Sequence, residues 1–145
     1  MPGKPVGQPG SVYFIQAVNS GLVKIGYVTS GSIESRLKSL QTGSPEKLVL
    51  RAAIATRFPV EAELGLHKIF RFARSHGEWF RPVDRLIALL LCPDALPDLI
   101  NFLAMRVNNG DEDTLLNYWG DRAWDNWLDS KRFVEDAICP IESAS

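Results

Sequence analysis

The chain has 145 residues, 46% of them hydrophobic and 23% charged, which predicts one small domain or one small domain with an extension. No apolar run approaches the roughly 20 residues that span a bilayer, so an integral membrane protein is excluded and no membrane partner is expected. The two cysteines, Cys92 and Cys139, form neither a metal motif nor a disulfide framework, which excludes a disulfide-rich secreted domain and favours a cytoplasmic protein.

The near-zero net charge of −1 hides two halves of opposite sign. Residues 1–82 contain eleven lysines and arginines and five glutamates, a formal charge of +6, whereas residues 83–145 contain five basic and twelve acidic residues, a formal charge of −7. A basic segment of this kind is typical of nucleic-acid binding proteins. Chance segregation of surface charge is the alternative.

The first elements in chain order are a tail and a hairpin. Residues 1–10, rich in Pro and Gly and without the hydrophobic core of a signal peptide, are expected to be a flexible tail. SVYFIQAV at 11–18 and LVKIGYV at 22–28 are β-branched and aromatic, and NSG joins them, so they predict a β-hairpin. Gly26 inside the second strand indicates a bulge or a close approach of another group.

The next elements complete a compact unit that Pro82 closes. Ser32 is expected to cap a helix over IESRLKSLQT, KLVLRAAIAT at 47–56 predicts a third strand, and FPVEAELGLHKIFRFAR at 58–74 predicts an amphipathic helix. EWF at 78–80 is a short extended piece or strand. The sequence therefore predicts an α+β fold, with a three-stranded antiparallel sheet flanked by helices over residues 11–82.

Residues 83–145 predict an all-helical, acidic extension. Its helical segments are VDRLIALLL, PDLINFLAMRV, DTLLNYW and RAWDNWLDSKRFVEDAI, separated by Pro and Gly. The acidic half could dock a protein partner, or fold over the basic half within the same molecule as a mimic of DNA charge. The plainer alternative is a helical extension that only completes the core.

Candidate functional residues occur on each element of the first unit. Tyr13, Lys24 and Arg36 lie on the first three elements, and Glu63 and His67 share one face of the second helix at i, i+4 spacing. Each has an ordinary structural interpretation, because exposed Glu–His pairs usually belong to a solvated helix face and a strand tyrosine is usually packed.

Several short motifs occur in a fixed order through residues 11–82: VYF at 12–14, KIG at 24–26, Arg36 on the following helix, Glu63 within ExxLH, and GEWF at 77–80. This ordered combination resembles the GIY-YIG nuclease superfamily, and most closely its phage- and prophage-associated branch, in which the second motif commonly reads KIG and the domain closes with Glu-Trp-Phe. The resemblance covers just over half of the chain and implies a metal-dependent endonuclease that hydrolyses phosphodiester bonds in DNA.

The resemblance assigns roles to individual residues. Tyr13 matches the tyrosine of the first motif, and Arg36 matches the helix arginine. Gly26 matches the glycine of the second motif, where a small residue would let the backbone approach the substrate phosphate. Glu63 matches the metal-binding glutamate, and Glu78 is the runner-up.

The sequence departs from the family pattern at two positions. Val12 replaces the glycine of the first motif, which is a mild change. Lys24 replaces the tyrosine that begins the second motif and is often given a proton-accepting role. Tyr27 stands just after the motif, where repair-type members often have a lysine, so lysine and tyrosine are exchanged.

The expected cofactor is a divalent cation, Mg²⁺ or alternatively Mn²⁺, which one or two carboxylates suffice to hold. Arg36 would bind phosphate oxygens with its planar fork. Tyr13, Lys24, Tyr27 or His67 could move the proton, although Tyr and Lys, with ordinary pKa values of about 10 and 10.4, are poor bases until a nearby positive charge lowers them.

Further basic residues would supply salt-dependent affinity for the DNA backbone. They are Lys38, Arg51, Arg57, Lys68, Arg71 and Arg74. The alternative to an endonuclease is a catalytically silent nucleic-acid-binding module of the same fold, which Lys24 in place of tyrosine would favour. The sequence does not distinguish single-stranded from double-stranded DNA.

Overall fold

The computed structural model describes residues 9–29, 32–91 and 93–110. The strands are β1 (Gly10–Ala17), β2 (Val23–Val28), β3 (Leu48–Thr56), β4 (Arg74–His76) and β5 (Trp79–Phe80). The helices are α1 (Ile33–Thr42), α2 (Pro59–Ile69), α3 (Asp84–Leu91) and α4 (Leu96–Asn108), with short 3₁₀ turns at Arg71–Ala73 and Pro93–Ala95. The predicted helices at 113–119 and 122–138, and most of the predicted tail, lie outside the described residues.

The α+β class is confirmed, but the prediction of three strands is wrong. The described residues form one five-stranded antiparallel sheet in the order β3-β1-β2-β5-β4. The two additional strands are only three and two residues long, too short to show the alternation of side chains that marks a strand in a sequence.

The second helix is shorter than predicted, because α2 ends at Ile69 and not at Arg74. A 3₁₀ turn follows, and Arg74 begins β4 with Gly77 at a φ of +54° in the turn to β5. The apolar residues of this segment continued the helical spacing, but they pack as a turn and a hairpin. Arg71 and Arg74 therefore lie in the 3₁₀ turn and in β4, and not on the helix that carries Glu63 and His67.

The two faces of the sheet are covered by different helices. Val12 and Phe14 of β1 point into a core shared with α2, α3 and α4, whereas Tyr13 and Ile15 point to the face covered by α1. The Ser32 Oγ accepts a hydrogen bond from the Ser35 N–H at 3.0 Å and caps α1, as predicted. This cap fixes where α1 begins and so positions the helix over the second face of the sheet.

The helices after Pro82 share the core of residues 11–82. Leu86 and Leu89 of α3 and Leu99 and Leu103 of α4 are buried in one cluster with the sheet and α2. Residues 84–108 thus belong to the same core as the sheet and α2. Most of the acidic excess lies in residues 111–145, which carry a formal charge of −6 and lie outside the described part.

No helix within the described ranges is both long enough and apolar enough to cross a membrane.

Helix α2 packs closely on α4 because it has a glycine at the contact. A Cβ placed on Gly65 would lie 2.8 Å from the Cβ of Leu103, which is fixed to the α4 backbone and cannot swing away. The distance between the two helices therefore depends on the absence of a side chain at position 65.

We expect Gly65→Leu to lower the free energy of unfolding by about 2 kcal/mol, because overpacking of this contact outweighs the better helix propensity of leucine. Gly43→Leu is the matched control, since Gly43 has an ordinary φ of −95° and no atom within 4 Å of a built Cβ. Urea unfolding followed by circular dichroism measures both variants. Equal stability of the two would contradict the close α2–α4 contact.

Candidate active site

A cleft of about 350 Å³ opens beside the free end of β2 and gathers residues from five parts of the chain. β5 pairs with Val23 and Lys24, and the Ile25 N–H donates to the carbonyl oxygen of Glu78 at 3.1 Å, so β2 has no strand partner on that edge beyond Ile25. The cleft is lined by Tyr13 of β1, Tyr27, Val28 and Thr29 at the end of β2, Arg36 of α1, Glu63 of α2, and Glu78 before β5. The predicted residues Tyr13, Tyr27, Arg36 and Glu63 thus line one cavity.

His67 occupies the open edge of β2 and is not among the lining residues of the cleft. Its Nε2 lies 2.9 Å from the carbonyl oxygen of Ile25, which can only accept, so this nitrogen carries a proton and donates. The ring also packs against Phe80, with centroids 5.0 Å apart. Burial lowers the pKa of His67, which favours the neutral ring. His67 thereby satisfies a strand carbonyl that β5 is too short to reach.

Gly26 makes room for Tyr13. The two residues are directly opposed in the β1–β2 pairing, and a Cβ on Gly26 would lie 2.5 Å from the Tyr13 hydroxyl and 2.6 Å from the ring carbon that bears it. Tyr13 is only 1% exposed, so its ring cannot move aside without disturbing the core. In this structure the glycine accommodates a site residue, in addition to any approach of substrate to the backbone.

Tyr13 and Arg36 form a polar pair at one wall of the cleft. Burial raises the pKa of Tyr13, and the positive charge of Arg36, which lies within interaction distance of the hydroxyl, acts in the opposite direction without overcoming it. The expectation that a nearby positive charge would lower the pKa of the proton-moving tyrosine is therefore wrong for Tyr13, because burial outweighs the effect of Arg36. At neutral pH, Tyr13 is a protonated phenol that can donate a hydrogen bond.

Glu63 and Glu78 bring two carboxyl groups together in the same cleft. Burial raises the pKa of Glu63 from 4.5 to about 7, and the charge of Glu78 and a hydrogen bond with it act in the same direction. The Glu63 Oε2 is buried and has no hydrogen-bond partner among the described residues. This carboxyl is thus held in an environment that opposes its negative charge.

Lys24 binds Glu78 and is not itself among the lining residues. Its Nζ lies 2.8 Å from the Glu78 Oε1, with only 13% of the lysine side chain exposed, and 5.9 Å from the centroid of the Trp79 ring. A partly buried ion pair of this kind orients the Glu78 carboxylate toward the cleft. The residue at the tyrosine position of the second motif is therefore engaged with a carboxylate.

The other predicted DNA-binding residues lie away from the cleft lining. Lys38 is exposed on α1, Arg57 is exposed between β3 and α2, and Lys68 is half-buried near the end of α2. Arg71 and Arg74 are exposed, and the Arg74 Nε donates to the carbonyl oxygen of Gly77 at 2.7 Å. None of these side chains is among the residues that line the cleft.

Glu78 is the residue whose place in the site the sequence ranked too low. It was expected as a runner-up to Glu63, whereas both carboxyls line the cleft. The strand pairing of Lys24 with Trp79 places Glu78 at the open edge of β2 and so beside Glu63 in the cleft. A two-residue strand gives no sequence pattern from which this pairing could be read.

The carboxyl pair fits the divalent cation that the resemblance implies. In the described ranges no group of three or more His, Cys, Asp or Glu side chains gathers, so a cation would depend on these two carboxyls and on water. Mg²⁺ is commonly held in this way. The unpartnered, buried Oε2 of Glu63 is the atom that such a cation would satisfy.

No family model, no curated protein and no solved structure matches this chain.

The contact of Gly26 with Tyr13 predicts a strong energetic coupling between the two positions. We expect Gly26→Ala to lower the free energy of unfolding by about 1–3 kcal/mol, the usual range for overpacking. In a Tyr13→Ala background, where the ring is absent, the same change should have little effect. A double-mutant cycle by urea unfolding measures the coupling. Equal effects in both backgrounds would show that Gly26 is needed for another reason.

The raised pKa of Glu63 predicts a pH-dependent stability difference. The unfolded chain releases this proton near pH 4.5 and the folded protein keeps it to about pH 7, so the wild type loses stability as the pH rises through this window. Glu63→Gln lacks this loss. We expect the variant to gain on the order of 1 kcal/mol over the wild type across the window, after allowance for solvent screening.

Urea unfolding at several pH values measures this gain, and Glu34→Gln, which changes an exposed carboxyl on α1, is the control. The control should follow the wild type at every pH. A stability difference between Glu63→Gln and the wild type that stays constant with pH would contradict the raised pKa.

Proposed function

We propose that the protein is a metal-dependent endonuclease of the GIY-YIG type that hydrolyses phosphodiester bonds in DNA. The observation that supports this most strongly is the convergence of Tyr13, Arg36 and Glu63 on one cleft. These residues come from a strand and two helices far apart in sequence, and the motif order alone had grouped them. The formal charge of +6 on residues 1–82 suits a polyanionic substrate.

The side chains of the cleft divide into two groups by their proposed roles. In the first group, Arg36 would bind phosphate oxygens, and the protonated Tyr13 would donate a hydrogen bond to the scissile phosphate or the leaving oxygen. In the second group, Glu63 and Glu78 would hold the cation, with Lys24 keeping Glu78 in place. Tyr27 also lines the cleft, where its hydroxyl could accept a hydrogen bond from the attacking water and orient it.

A bound Mg²⁺ or Mn²⁺ would neutralise charge on the phosphate and lower the pKa of a bound water. Glu63 must lose its proton to serve as a ligand, and its pKa of about 7 makes this loss incomplete below neutral pH. The protein would therefore bind the cation more tightly as the pH rises through about 7.

A catalytically silent DNA-binding module is the second candidate. The ion pair between Lys24 and Glu78 favours it, because the residue at the position of the proton-accepting tyrosine is occupied by a structural contact. Such a module would bind DNA in a salt-dependent manner without cleaving it.

A cleavage assay with single- and double-stranded DNA, in the presence of Mg²⁺ or Mn²⁺, distinguishes the two functions. We expect metal-dependent cleavage that falls by about 100-fold or more in Glu63→Gln and in Arg36→Ala, since each removes a charge contact to the reacting phosphate or its cation. Glu34→Gln, which alters a carboxyl outside the cleft, should cleave like the wild type.

Absence of cleavage with every metal and substrate, together with salt-dependent binding, would support the silent module instead. Cleavage by Glu63→Gln at the wild-type rate would show that the activity comes from elsewhere.

A further inference from the structure

We propose that a second cavity, next to the cleft, binds one unpaired nucleobase of the DNA strand whose phosphate lies at Arg36. This inference rests on the proposed function and deepens it, because it names the form of DNA that the site accepts. The second cavity lies on the α1 face of the sheet, between the end of α1, the β1–β2 turn and Trp79, and is called the base pocket below.

The base pocket has the size and the walls of a site for a flat organic group. Its volume is about 410 Å³, within the range of about 300–1,000 Å³ that small-ligand sites occupy. Ala17, Leu22, Leu40 and the half-buried Trp79 form apolar walls. An aromatic ring such as the Trp79 indole can stack a base of any kind, since every base presents a π-face.

Polar groups at the rim suit the edge of a base, which carries hydrogen-bond donors and acceptors. The Ser39 hydroxyl, exposed on α1, makes no hydrogen bond to other described residues. The exposed ring of His76 interacts through Nδ1 with the Ser75 hydroxyl at 3.1 Å, and its Nε2 makes no hydrogen bond to other described residues. The pocket thus combines a stacking surface with a few polar contacts.

The base pocket and the cleft share no lining residue, but the same elements contribute to both cavities. Arg36 and Leu40 lie one turn apart on α1, about 6 Å along the axis, so one helix contributes to both cavities. On the sheet, Lys24 joins them, because its Nζ contacts Glu78 of the cleft and lies over the Trp79 ring of the pocket.

This arrangement determines which DNA can be bound productively. A base that stacks on Trp79 is not stacked and paired in a duplex, so the strand must be single or locally opened. The flanking phosphate would then lie by Arg36 and the Lys24–Glu78 pair. The protein should therefore prefer single strands, or duplexes with an extruded base, over intact duplex.

Binding of fluorescein-labelled strands in EDTA, followed by fluorescence anisotropy, tests the pocket without any cleavage. The probes are oligothymidylate and an abasic strand of equal length, which share phosphates and differ only in bases. We expect the wild type to bind oligothymidylate about tenfold more tightly than the abasic strand, as one stacked base would give. An intact duplex should bind more weakly than oligothymidylate.

Two variants should remove this base preference and keep the binding of the abasic strand. Trp79→Leu deletes the stacking surface, and Gly43→Leu fills the pocket from a position with no neighbouring atom within 4 Å. Trp79→Phe should restore part of the preference. Phe72→Leu is the matched control, because it removes a ring that is 51% exposed and lines neither cavity.

An unchanged base preference in both Trp79→Leu and Gly43→Leu, or no base preference in the wild type, would overturn the proposal. Neither outcome depends on cleavage, so the base pocket can fail while the endonuclease assay succeeds. Conversely, a base preference that the two variants abolish would support the pocket in a protein that cleaves nothing.

Discussion

The close approach of the partly exposed Glu78 carboxyl to the Glu63 carboxyl is the interaction on which the account of the site depends. Two carboxyls in a partly desolvated cleft cannot both carry a charge without compensation, and Lys24 compensates only Glu78 directly. The electrostatic cost that remains uncompensated is borne by Glu63. Its Oε2 has no partner among the described residues, and its pKa is raised to about 7. A proton on Glu63 would remove this cost, and so would a divalent cation between the two carboxyls. On this account a cation could bind here without a third carboxylate.

The positions of Tyr13 and Arg36 in the cleft depend on packing as well as on charge. Gly26 lets the Tyr13 ring cross β2, and the buried ring presents its hydroxyl beside Arg36. β5 stops after pairing with Lys24, which opens the edge that the cleft occupies, and His67 satisfies the carbonyl of Ile25 left there. The site is therefore coupled to the core on both faces of the sheet, and the helices after Pro82 support it by packing on α2.

Much of this fold followed from the sequence, and the failures have a common cause. The β1–β2 hairpin, the Ser32 cap of α1, and β3 carried clear periodicity or cap chemistry, and they occur within a residue or two of where they were predicted. The end of α2 and the strand β4 were missed, and β5 was expected only as a short extended piece or strand at 78–80. Five strand residues carry no period, and the apolar spacing of 58–74 resembled one helix. The order of motifs predicted that Tyr13, Arg36 and Glu63 would share a site. It did not predict that Lys24 would form an ion pair with Glu78 or that His67 would donate a hydrogen bond to the carbonyl of Ile25 at the edge of β2. Both contacts depend on where the short β5 ends.

The central claim is that Glu63 keeps a proton to near-neutral pH and exchanges it for a divalent cation. Carbon-13 NMR titration of the glutamate carboxyls, with Glu63→Gln used to assign the signal, measures this directly. The account predicts a titration midpoint at about pH 7 without a cation and a lower midpoint when Mg²⁺ is added. A midpoint near 4.5 that Mg²⁺ leaves unchanged would contradict both the strained carboxyl pair and its role in binding a metal.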